Sequence, residues 1–80
     1  MKKRNKITLK DVSIQKPPEM TAKDIKNLRR KLDMTQKRFA IAMGLSKRTI
    51  EALEQGRYVA KGVVLRLLQV FKEYPSIARA

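Results

Sequence analysis

Lys47 and Arg48 stand side by side directly after Ser46, a strong helix N-cap, and so fall in the exposed first turn of a predicted helix. An ammonium and a guanidinium in that place can donate charge-assisted hydrogen bonds to acceptors on another molecule. What the chain lacks narrows the field. It contains no cysteine and no histidine, which removes thiolate nucleophiles, imidazole acid–base chemistry, disulfides and the usual zinc ligands. Carboxylates are the only conventional catalytic groups left in any number, and the 7 Asp and Glu are scattered, so the sequence points away from an enzyme and implies no cofactor and no metal. Against them stand 20 Lys and Arg, for a formal net charge of +13, which makes a polyanion the natural partner.

The elements that position the pair can be read from capping chemistry. Thr21, Thr35 and Ser46 are each flanked by an apolar residue just before and another four positions after: Met20 with Ile25, Met34 with Phe39, Leu45 with Ile50. These are hydrophobic staples, and they place helix starts at about residues 22, 36 and 47. Asp24 adds a negative charge near the positive end of the first helix. Apolar residues at three- and four-residue spacing then give each helix one buried face: Ile25, Leu28 and Leu32; Phe39, Ala40 and Met43; Ile50 and Leu53. Gly44 falls where the second helix must turn, and Gly56 is expected to end the third in the same way. A fourth helix is predicted from about Lys61 to Tyr74, stopped by Pro75, with Ser76 to Ala80 as a short tail or truncated last turn.

Gln36 to Gln55 therefore reads as two short helices joined by a turn, a helix-turn-helix, whose dominant use is to lay its second helix in the major groove of DNA. Burial of Ile50 and Leu53 turns Lys47, Arg48, Glu51, Ala52 and Gln55 outward as the reading surface. Lys47 and Arg48 are the expected base contacts, Arg48 being suited to bidentate pairing with guanine. Phosphate contacts are expected from Gln36 at the start of the second helix, from Thr49, and from Arg57 and Lys61 after the third helix, with Lys37 and Arg38 as secondary candidates.

Residues 1–20 differ from the rest. They carry Lys2, Lys3, Arg4, Lys6, Lys10 and Lys16, end in Pro17 and Pro18, and lack helical periodicity, so a flexible, basic, disordered arm is expected before a domain over 21–80. Ile7, Leu9, Val12 and Ile14 alternate with polar residues there and would suit a segment that becomes extended on a protein partner. The basic start is not followed by an apolar stretch and no run reaches membrane-spanning length, so neither a signal peptide nor a membrane partner is expected, and the location expected is cytoplasmic. Eighty residues bury a modest core, and the fourth helix is apolar beyond one stripe. A homodimer follows as an expectation, with Tyr74 and Ile77 at the interface and a palindromic double-stranded operator as its target.

The segment from Ile25 to Leu68 resembles the Cro/CI-type (XRE) helix-turn-helix family through Gln36, Ala40, Gly44, Ile50, Leu53 and the ending Glu54-Gln55-Gly56. The resemblance implies an all-α, four- to five-helix, lambda-repressor-like DNA-binding domain. It further implies that Gln36 binds phosphate and helps position the start of the recognition helix, that Lys47, Arg48 and Ala52 face the bases, and that Arg29 and Glu54 form an internal ion pair. Ala52 is too short to hydrogen-bond a base, and Leu53 stands where many relatives have tryptophan. From Thr21 to Pro75 the chain is also similar to HigA-type antitoxins and to the C-terminal domain of MqsA, through Asp24-Ile25, Glu54-Gln55-Gly56-Arg57, Gly62, Leu67-Leu68 and Glu73-Tyr74-Pro75. That likeness implies a repressor that autoregulates its operon and neutralises a RelE/HigB-like toxin, an mRNA-cleaving, ribosome-dependent protein. MqsA's cysteine-rich zinc domain has no counterpart in this cysteine-free sequence. Two readings stay open: an autoregulating antitoxin whose arm holds the toxin through Ile7, Leu9, Val12 and Ile14, and a phage or mobile-element repressor whose arm serves DNA through Lys2, Lys3, Arg4 and Lys6.

Overall fold

The computed structural model describes residues 18–79. Over these the chain forms five helices: α1 (Ala22–Lys31), α2 (Gln36–Met43), α3 (Lys47–Glu54), α4 (Gly62–Glu73) and α5 (Pro75–Arg79). The first three begin at the residues the caps predict. Thr21, Thr35 and Ser46 each have extended backbone, and each side chain accepts the amide three residues on, from Asp24, Arg38 and Thr49. At α1 the cap is reciprocal, because the Asp24 carboxylate also accepts the Thr21 amide at 2.9 Å. Those hydrogen bonds hold the Asp24 carboxyl below its ordinary pKa.

All three helices end by the same device. After α2, the amide of Leu45 bonds the carbonyl of Ala40 and that of Gly44 bonds Ile41, with Gly44 at φ 72°. This is a Schellman turn, which needs a left-handed residue at its corner. The same pair of bonds recurs after α3, where Arg57 reaches Ala52 and Gly56 reaches Leu53. It recurs after α1 as well, where Met34 reaches Arg29 and Asp33 reaches Arg30, with the corner taken by Asp33 at φ 60°. Aspartate tolerates this conformation better than most side chains, so the turn forms without glycine, but at some strain.

The fourth helix departs in one respect from the sequence expectation. Pro75 ends α4, and it also opens α5, so the segment read as a tail or truncated turn is a short helix. Proline disfavours helical backbone at the residue before it, which puts Tyr74 at φ −131°, ψ 71°, while its own fixed φ suits the first position of a new helix.

One core joins the helices. The most deeply buried large side chains are Ile25 from α1, Phe39 from α2, Ile50 and Leu53 from α3, and Leu68 from α4. Phe39 and Phe71 meet edge to face with ring centroids 6.4 Å apart, which ties α4 to the helix-turn-helix. Ala78 of α5 closes the core on the far side, and Met20, ahead of α1, is buried in it too. The chain is held there by a bond from the Gln69 amide to the Pro18 carbonyl. No helix among the described residues is long and apolar enough to cross a membrane.

These corners set a matched pair of stability expectations. A Cβ at Gly44 would meet no atom within 4 Å, so Gly44→Ala isolates the left-handed backbone penalty and should cost about 1 kcal/mol. Asp33→Gly should stabilise by about 0.5 kcal/mol, since it relieves the same strain and removes a negative charge from the negative end of α1. Thermal unfolding checks both; a Gly44→Ala variant as stable as the parent would contradict the first.

Candidate nucleic-acid interface

Glu54 is the last residue of α3, and its side chain is only 3% exposed. A carboxylate there faces the negative end of its own helix, so it requires partners. Arg29 of α1 supplies them with two prongs, Nε donating to Oε2 at 2.6 Å and Nη2 to Oε1 at 3.0 Å. The same guanidinium donates through Nη1 to the carbonyl of Met34 in the α1–α2 turn, at 2.9 Å. Gln36, the first residue of α2, completes the set by donating Nε2 to Glu54 Oε1 at 3.2 Å. One buried carboxylate thereby ties the end of α3 to α1, to the turn and to the start of α2. Through its bond to Glu54, Gln36 ties the start of α2 to the end of α3. Burial pushes the Glu54 carboxyl upward, but the hydrogen bonds from Arg29 and Gln36 and the charges of Arg29 and Lys26 outweigh it, and the net pKa is lowered.

With its back pinned in this way, α3 turns the expected face outward. Lys47, Arg48 and Gln55 are exposed, and Glu51 and Ala52 are half-buried between them. Lys47 stays close to Glu51, with 3.8 Å between Nζ and Oε2, a loose solvent-exposed pair that contributes little and yields readily to a stronger acceptor. Arg48 has no ion-pair partner among the described residues. Thr49 is less available than its type suggests, because its hydroxyl lies 2.9 Å from that of Ser46 and its amide is the one the cap takes.

Donors for a phosphate backbone flank this face. At the start of α2 the Thr35 hydroxyl and carbonyl take the amides of Arg38 and Phe39. The amides of Gln36 and Lys37 are left without an acceptor among the described residues, beside the exposed side chains of Lys37 and Arg38. After α3, Arg57 donates Nε to Gln55 Oε1 at 2.9 Å, which holds its guanidinium against the end of the reading face. Sequence reasoning placed Arg57 in the interface without finding this anchor, since an exposed bond between two side chains leaves no periodic signal. Lys61 is exposed at the N-cap of α4. Tyr74, just past the end of α4, and Ile77 on α5 lie away from this surface in sequence and element, and both are exposed. Ile7, Leu9, Val12 and Ile14, with Lys2, Lys3, Arg4 and Lys6, lie outside the described residues.

Removal of Glu54 should unfold the site from behind. Glu54→Ala strands Arg29 with the Met34 carbonyl alone, at a cost of ~3–5 kcal/mol at the upper end for a buried pair. Because the folded-state pKa of Glu54 lies below its unfolded value, the stability it confers is present above the unfolded pKa of about 4.3 and is lost as the pH falls through the folded one. Denaturant melts from pH 7 down to acid should therefore show a loss of stability below about pH 4.3 that Glu54→Gln diminishes. An unchanged melting temperature in Glu54→Ala would contradict the role of the pair.

The arrangement is one helix offering a cationic, solvent-facing first turn, braced by a second whose start is rich in donors, and it matches what a duplex needs for groove entry and backbone clamping. A family model described as a helix-turn-helix domain matches residues 23–73, more than half of the chain. No curated protein matches the chain. The match spans α1 to the end of α4, agrees with the Cro/CI-type pattern in Gln36, Gly44 and the Glu54-Gln55-Gly56 ending, and shows that the chain belongs to the helix-turn-helix domain family of DNA-binding regulators.

Proposed function

We propose that the protein is a sequence-specific transcriptional repressor that binds a palindromic operator as a homodimer. The observation that carries the DNA contact is the outward face of α3, with Lys47 and Arg48 in its first turn and the Gln36 and Arg57 donors on either side. Lys47, Arg48 and Ala52 read base edges, Ala52 through apolar contact with a thymine methyl. Gln36, Thr49, Arg57 and Lys61 hold the phosphates.

The dimer rests on α4. Leu65, Leu68 and Phe71 are buried, whereas Val63 and Tyr74 are 81% and 58% exposed, with Val70 exposed and Leu67 half-buried between them. Positions 63, 67 and 70 follow the alternating four- and three-residue spacing of a helix–helix seam, and Tyr74 carries the apolar surface just past the end of α4. Ile77 on α5, 53% exposed, extends the apolar surface. A two-fold axis through this stripe pairs it with itself, the simplest way for a second copy to cover it. The two α3 helices of such a dimer would read half-sites about 10 bp apart, or a multiple of a turn.

The antitoxin reading adds a second partner, a RelE/HigB-like toxin held by Ile7, Leu9, Val12 and Ile14. It is supported by the likeness from Thr21 to Pro75 to HigA-type antitoxins, and co-purification with the product of a neighbouring toxin-like gene decides between it and the phage-type repressor.

Selection of binding sites from a randomised duplex pool should return a two-fold symmetric sequence. Against that site and a scrambled one, Arg48→Ala should lose ~1–3 kcal/mol of discrimination at one base pair, whereas Lys61→Ala should weaken both DNAs alike. Equal weakening by Arg48→Ala would remove it from base reading. Light scattering at micromolar concentration should give a dimer that Tyr74→Glu splits without unfolding; a monomer that stays monomeric on the full site would overturn the dimer.

A further inference from the structure

We infer that the exposed row Lys23, Lys26 and Arg30 on α1 is a second DNA-backbone contact, which extends the footprint beyond the helix-turn-helix along the strand that the start of α2 already meets. The inference rests on the DNA-binding reading and names contacts outside the residues that reading uses.

The three side chains recur at three- and four-residue spacing on α1, so they share one face, and all are exposed. That face is adjacent to the one carrying Arg29, whose guanidinium reaches Glu54 and the Met34 carbonyl beside the start of α2. Lys26 stands one turn before Arg29 on the helix, so the row borders the side of α1 that Arg29 turns toward α3. Lys31 belongs to the other side, where with Lys72 and Gln69 it lines the cleft between α1 and α4.

Helix stability does not account for the row. Cations in the last turn of a helix are favoured by its negative end, which suffices for Arg30 and Lys31. Lys23 lies in the first turn of α1, at the positive end where a cation is disfavoured, and Lys26 lies between the two end turns, where the dipole gives a cation no support. Among the described residues none of the three makes an ion pair. From Lys23 to Arg30 the helix rises roughly 10 Å, the length over which one DNA strand presents about three phosphates. Three unpaired cations at that pitch, next to donors already assigned to phosphate, fit a polyanionic strand.

Salt dependence tests this directly. The full-length chain is titrated onto a fluorescent random-sequence duplex over a series of KCl concentrations, as the parent, as Lys26→Gln/Arg30→Gln, and as Lys31→Gln/Lys72→Gln, which removes equal charge from the α1–α4 cleft. The slope of log Kobs against log[KCl] should shrink by about 1.8 in the first double variant, ~0.9 for each lost phosphate contact, and by less than half of that in the second. The single variants should give ~0.9 each, which keeps the test intact should the double variant fold poorly. Equal slopes in the two doubles would overturn the row as a contact while DNA binding by α3 stands. Failure of the parent to bind any duplex would overturn both.

Discussion

The placement of the end of α3 against α1 and α2 depends on the two-pronged bond between Arg29 and Glu54. Taking a carboxylate and a guanidinium out of water is costly, and such pairs add little net stability over an apolar replacement. What this one supplies is geometry. Glu54 alone would be disfavoured at the end of α3; with Arg29, Gln36 and the Met34 carbonyl in one connected set, the end of α3 has a single satisfied position relative to α1 and α2. The opposite end of α3 is fixed by apolar means, through the Gly44 turn, the Ser46 cap and the burial of Ile50. A short helix held at both ends presents its outward face at a defined angle, which is what entry into a groove demands.

The division of labour among the helices follows from that constraint. Apart from Arg29, helices α1 to α3 place their Lys and Arg side chains outward, and each helix closes with the same hydrogen-bonded corner on a short connection. Helix α4 braces α2 through Phe39 and Phe71 and leaves apolar side chains on its outer side. Among the exposed apolar side chains, Val63, Val70, Tyr74 and Ile77 gather along α4 and α5, whereas Ile41 lies on α2 and Tyr58 and Val59 follow α3.

Much of this was legible in the residues. The caps at Thr21, Thr35 and Ser46 located three helix starts because a cap is a local hydrogen bond between neighbours in sequence, and the staples located the core for the same reason. The αL corner at Gly44 was visible because glycine advertises it. At Asp33 the same corner was invisible, since aspartate occurs in many settings. Pro75 was read as a stop and is also a start, an ambiguity inherent in a residue that suits the first position of a helix and disfavours the residue before it. The bonds from Gln36 to Glu54 and from Arg57 to Gln55 join polar side chains whose partners are set by packing, and no spacing rule reports them. The hydroxyls of Ser46 and Thr49 likewise lie 2.9 Å apart, a contact that composition alone does not report.

Amide chemical-shift mapping of the isotope-labelled chain, titrated with a selected operator duplex, decides whether the outward face of α3, the start of α2 and the segment after α3 form one DNA interface. The largest shifts are expected at Gln36 and Lys37, across Lys47 to Ala52, and from Arg57 to Lys61, while the buried amides of Leu68 and Phe71 stay nearly still. Shifts centred on α4 and α5, with the α3 face unmoved at saturating DNA, would contradict that interface.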